Sequence, residues 1–76
     1  MQLLEQRIYK DYEIKIFGGM TGFRLQAFKG TKAYRPVVTV DFQTNMDIKH
    51  TDGRSGVESL VLFLQGQIDK NFLIEA

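Results

Sequence analysis

Residues Tyr12-Glu13-Ile14-Lys15-Ile16-Phe17-Gly18-Gly19-Met20-Thr21-Gly22-Phe23-Arg24-Leu25-Gln26-Ala27 hold two runs of alternating character on either side of a glycine-rich break. Tyr12, Ile14 and Ile16 alternate with Glu13 and Lys15, the period of a strand with one buried face. Phe23, Leu25 and Ala27 alternate with Arg24 and Gln26 in the same way. Gly18, Gly19 and Gly22 are expected to supply the positive-φ positions of a hairpin connection. A short connection between two such strands makes them antiparallel neighbours.

Downstream, Gly30 and Thr31 make the next break, and a third strand is expected over about Val37 to Phe42. Val38, Val40 and Phe42 would share its inner face. Pro36 has no N–H for a ladder, so it belongs at the start of that strand, on an edge or at a bulge. Asn45 invites a turn, and Met46 to His50 reads as a short fourth strand before an Asp52-Gly53 turn. The first ten residues are open: Leu4 and Ile8 have the spacing of a helical turn, while Ile8 to Ile16 also reads as one long strand.

The last third reads as helix. Ser55 followed by Glu58 is a capping-box signature, in which hydroxyl and carboxylate each satisfy an orphan amide. Val57, Leu60, Val61, Leu64 and Ile68 recur at helical spacing and form one apolar stripe. Lys70 suits the negative end of the helix dipole, and Asn71 is placed to close the helix. A rival reading stops the helix at Gly66. Together these elements make one small α+β domain over residues 1–76. It would have two layers, a three- or four-stranded antiparallel meander and one C-terminal helix on one face. Val38, Val40, Phe42, Leu60, Leu64 and Ile68 should lie in its core.

Composition narrows the chemistry. Seventy-six residues hide only about 60% of their unfolded surface on folding, so a domain of this size gains from a partner or a cross-link. Cysteine is absent and His50 is the single histidine, which leaves no thiolate site and no zinc site of the usual kind. A hydrophobic content of 43% with 25% charged residues is that of an ordinary globular domain. Met1 to Lys10 lacks the pattern of a secretory signal, and the longest apolar run, Leu60 to Leu64, is far below a membrane span. The expected setting is cytoplasmic, without membrane attachment.

Candidate catalytic residues have simpler roles. His50 stands near Asp47, Asp52 and Ser55, but Asp52 suits a turn, Ser55 a helix cap, and His50 a solvated position. Asp41, Asn45, Asp47, His50 and Asp52 offer metal-ligating atoms whose spacing misses the calcium-loop pattern. A strand rather than a helix follows Gly22, so the glycine loop is a poor phosphate cradle. No catalytic residue, metal, cofactor or small-molecule substrate is assigned, and the expectation is a protein that is not an enzyme.

Two surfaces remain. From Met1 to Pro36 seven basic residues stand against three acidic ones, and the rest of the chain carries three basic against six acidic. Arg24, Lys29, Lys32 and Arg35 are interleaved with Phe28 and Tyr34, a pattern that suits a phosphate backbone and a stacked base. A nucleic-acid site at Arg24, Lys29, Lys32, Tyr34 and Arg35 is therefore the alternative. The leading expectation rests on the helix. At 100° per residue, Ser59, Leu62, Phe63 and Gly66 fall opposite the core stripe, where a solvated helix would carry charge. Two bulky apolar residues beside two small ones describe a contact surface. That points to a non-catalytic protein-binding module, an adaptor or inhibitor of a larger machine, or a homodimer joined through this face.

Overall fold

The computed structural model describes the backbone of residues 1–52 and 55–76, with side chains for 1–47 and 55–76. The expected Asp52-Gly53 turn and the side chain of His50 lie outside the described residues. The elements run β1 (Gln2–Tyr9), β2 (Tyr12–Gly18), β3 (Gly22–Lys29), β4 (Lys32–Arg35), β5 (Val38–Asp41), α1 (Phe42–Asp52), α2 (Gly56–Asp69) and β6 (Ile74–Glu75). Among the described residues this is a small α+β domain with an antiparallel sheet of six strands and two helices, where three or four strands and one helix were expected.

The alternation in β2 and β3 does what its period requires. The two strands pair antiparallel with Ile14 opposite Ala27 and Ile16 opposite Leu25, and all four are buried. The first ten residues form a strand rather than a helical turn, paired along β2 from Tyr9↔Tyr12 outward. A register shift between Leu3 and Glu5 marks a bulge near the start of β1. Lys10, with φ of 55°, makes the two-residue turn into β2.

Beyond β3 the edge is shared. β4 pairs with Phe28 and Lys29, while β5 pairs with Gly22 to Leu25. Pro36 interrupts this edge, as its missing N–H dictates, and the Arg35–Pro36 peptide is cis. Gln26 spans the gap, its amide donating to the Tyr34 carbonyl at 3.0 Å. Lys32 to Arg35 had no alternation long enough to read as a strand, and β6 closes on it from the far side with Tyr34↔Glu75 and Arg35↔Ile74.

Two expectations fail at one point. The third strand ends at Asp41, and Phe42 opens α1 with 43% of its surface exposed. Met46 to His50 is helical, not a fourth strand. Asp41 explains the change, because its carboxylate accepts the Thr44 N–H at 2.7 Å and caps a helix start. The α1 sequence has no apolar stripe to announce a helix. Its position depends on tertiary contacts: Asn45 Oδ1 accepts the Val57 N–H at 3.0 Å, and Gly56 lets the two helices approach. A Cβ at Gly56 would lie 3.2 Å from Asn45 Cα.

Gly22 also has a different task from the one expected. Gly30, at φ 62°, is the described glycine with positive φ; Gly18, Gly19 and Gly22 are not. At Gly22 a Cβ would stand 2.3 Å from the Val40 carbonyl oxygen, so the residue is small because β5 crosses close to it.

α2 follows the sequence in its cap, stripe and end, except that the Glu58 carboxylate, expected on a helix-start amide, pairs with Arg7. Ser55 Oγ accepts the Glu58 N–H at 3.2 Å. Val61, Leu64 and Ile68 are buried against Ile14, Ile16 and Leu25, with Leu60 and Val57 half-buried beside them. The helix runs past Gly66 to Asp69. Asn71 closes it at φ 60°: its N–H donates to the Ile68 carbonyl and the next N–H, of Phe72, to that of Gln67. That pair of bonds satisfies carbonyls the helix end would leave orphaned. No described helix is long and apolar enough to cross a membrane.

Candidate partner-binding surface

Core packing turns one side of α2 to the sheet and the other outward. Ser59, Leu62, Phe63 and Gly66, at positions i, i+3, i+4 and i+7, share the outward side. Leu62 and Phe63 stand next to each other with 47% and 45% of their surface exposed. Ser59 adds little polarity, because its hydroxyl donates to the Ser55 carbonyl at 3.3 Å. Around Gly66 there is open space: a Cβ built there meets nothing within 4 Å. The face is thus an apolar ridge beside a notch, with the helix backbone accessible at its floor.

The five residues of the basic segment are not brought together. Strand alternation places Arg24 and Arg35 on the sheet face away from α2, and Lys29, Lys32 and Tyr34 on the helix side. There Lys29 Nζ lies 4.4 Å from the centre of the Tyr12 ring. Tyr34 meets the same ring edge-on at 5.2 Å, and Lys32 Nζ is 3.6 Å from Glu75 Oε1. A period of two divides any run of cations between two faces, which counting along the chain does not reveal.

The outer face of the sheet holds a group the sequence reading did not single out. Lys15 Nζ lies 4.5 Å from the Phe28 ring centre, and the Arg24 guanidinium lies 5.0 Å from that of Phe17. Arg24 Nε is buried with no hydrogen-bond partner. The alternation carries the signal for this group, since Phe17 and Arg24 face each other once the hairpin register is known.

A second missed set ties β1 to α2. Arg7 meets Glu58 through Nη1–Oε2 at 3.0 Å and Nη2–Oε1 at 2.7 Å, and also reaches Glu5 at 3.0 Å. The Tyr9 hydroxyl donates to the Asp69 carboxylate at 2.9 Å, and Lys10 pairs with the same carboxylate. The guanidinium of Arg7 holds the Glu58 carboxyl below the usual range, against a smaller opposing effect of desolvation. Lys10, and then Tyr9, lower Asp69 in the same way. In return the Glu58 and Glu5 bonds raise Arg7 further, and the Asp69 bonds raise Tyr9 and Lys10.

A groove of about 430 Å³ lies between the start of β3 and β5, bordered by Thr21, Thr39, Asp41 and Thr44. Its titratable side chain is Asp41, lowered by the Thr44 N–H it already accepts in capping α1. Among the described residues no three side chains of His, Cys, Asp or Glu cluster as a metal site would. No known family model, curated protein or solved structure matches the chain.

Proposed function

We propose that the chain is a non-enzymatic protein-binding module whose partner seats on the outer face of α2. One observation supports this above the others: Leu62 and Phe63 are side by side and half-exposed next to the open notch at Gly66. An exposed apolar ridge of this kind gains free energy on being covered. Gly66 adds to the reading, since a mid-helix glycine costs about 1 kcal/mol relative to alanine and fills no local packing need. Its benefit is close approach of another backbone. Phe63 is the anchor, because buried aromatic side chains dominate binding energies.

The test is isolation of the tagged chain from its native cells, alongside Phe63→Ala and Gly66→Leu variants. A protein that co-purifies with the parent should be lost from both variants, with Phe63→Ala weakening the contact by at least roughly 2 kcal/mol. Circular dichroism checks that both remain folded. Nuclease-sensitive RNA or DNA, retained by both variants, would move the function to the outer sheet face with Lys15, Phe17, Arg24 and Phe28.

A further inference from the structure

β1 is the outermost strand of the sheet, and among the described residues it pairs with β2 on one side and with no strand on the other. At eight residues it is a long open edge; the outer strands at the opposite side, β5 and β6, have four and two. Gln2–Tyr9 contains neither lysine nor proline, the residues that commonly keep an edge from pairing. Tyr9 and Tyr12 close a two-residue turn, so they form a hydrogen-bonded pair. The bonded residues of β1 are then Tyr9, Arg7 and Glu5, and alternation turns the backbone groups of Ile8 and Gln6 outward, unpaired.

We propose that this edge pairs with β1 of a second copy, antiparallel about a two-fold axis at Gln6. A two-fold at Gln6 or Ile8 sets outward backbone groups opposite themselves, and one at Arg7 would pair Gln6 with Ile8. An axis at Arg7, however, sets Arg7 opposite Arg7, and one at Glu5 sets Glu5 opposite Glu5, like charge against like. An axis at Ile8 sets Glu5 opposite Asp11 of the second copy, like charge against like. An axis at Gln6 sets Glu5 opposite Arg7 of the second copy, and Arg7 opposite its Glu5. These two positions form a non-hydrogen-bonded pair, in which side chains approach most closely. The edge is therefore complementary to itself in charge. Arg7 makes three hydrogen bonds within its own chain, to Glu5 and twice to Glu58, and a guanidinium has five donors. On the outer face Gln6 meets its own copy. Ile8 is 76% exposed beside it, and the ladder ends at the bulge, where the Leu4 side chain lies over Gly18.

Charges pointing toward the core side of an edge strand ordinarily prevent pairing. Here they select one register. The two-fold axis is perpendicular to the sheet, so both copies keep α2 on the same side and present two outer helix faces together. The pairing stands independently of what binds those faces.

The chain has no cysteine, so Gln6→Cys introduces a single thiol at the axis. In the proposed register the two Cα atoms fall within disulfide range, and mild oxidation of the full chain should cross-link nearly all of it. Sedimentation should show the parent at twice 8.8 kDa. Glu5→Arg should raise the dimer dissociation constant at least about tenfold, because like charges then face each other twice. Mixing folded Glu5→Arg with Arg7→Glu should restore pairing between unlike chains. A monomeric parent at high concentration would overturn the proposal, as would efficient cross-linking of Ile8→Cys but not Gln6→Cys. A Glu5→Arg chain that dimerises as the parent does would overturn it too. Phe63→Ala should leave the dimer intact; a dimer lost in that variant would place self-association on α2 instead.

Discussion

Arg7 in the edge strand and Glu58 in the first turn of α2 meet as a fork, two nearly parallel N–H···O contacts of 3.0 and 2.7 Å across 51 residues of chain. The pair fixes the outermost strand to the helix over a short path, and its side chains remain 31% and 46% exposed. Water screens such a pair, so its contribution is modest despite good geometry. Arg7→Ala should lower stability by about 1 kcal/mol, near the upper end for exposed pairs because the contact is bidentate. Arg7→Lys should recover less than half, since an ammonium cannot reproduce the fork. Urea titration of the three chains measures both steps.

Acidification should loosen the same junction. Glu58 and Asp69 have carboxyls held below their ordinary range by Arg7 and by Lys10 with Tyr9. Over that interval the unfolded chain binds more protons than the folded one, so stability falls as pH falls. The contribution is complete above the ordinary carboxylate range and is lost as pH drops through the lowered folded values. Glu58→Gln with Asp69→Asn should flatten this acid limb, as followed by thermal unfolding at stepped pH.

Two glycines should respond oppositely to alanine. At Gly22 the new methyl would meet backbone, 2.3 Å from the Val40 carbonyl oxygen, and β5 would have to shift. Overpacking of this kind typically costs about 1–3 kcal/mol or more. At Gly66 the methyl meets nothing, and Gly66→Ala should stabilise by roughly 1 kcal/mol through helix propensity. Melting temperatures of opposite displacement are expected. A neutral Gly22→Ala would mean that β5 does not cross there.

The two faces of α2 should separate stability from binding. Leu64 is fully buried, so Leu64→Ala should cost about 2–5 kcal/mol, a large share of the stability of so small a domain. Leu62→Ala, on the exposed face, should remain within about 0.5 kcal/mol of the parent while weakening partner capture. Chemical denaturation beside the co-purification assay reads both.

What could be read from the chain alone was whatever a single period determines. Alternation over Tyr12–Phe17 and Phe23–Ala27 specified two strands and their buried sides. The stripe from Val57 to Ile68, capped by Ser55, specified the helix and the side it buries, while the chain alone left its end open between Gly66 and Asn71. Such patterns are local consequences of backbone geometry, and each residue's contribution is repeated by its neighbours. The remainder depends on contacts between distant segments. α1 has no stripe and is held by Asp41 at its start and by the approach of Asn45 to Gly56 and Val57. The strand Lys32–Arg35 is long enough to matter only because β3 and β6 flank it. Which sheet face receives Arg24 and which receives Lys29 is a matter of strand phase, and the meeting of Arg7 with Glu58 follows from laying α2 over β2 and β3, beside the edge strand β1. No period encodes these placements; burying the stripe of α2 against β2 and β3 brings them about.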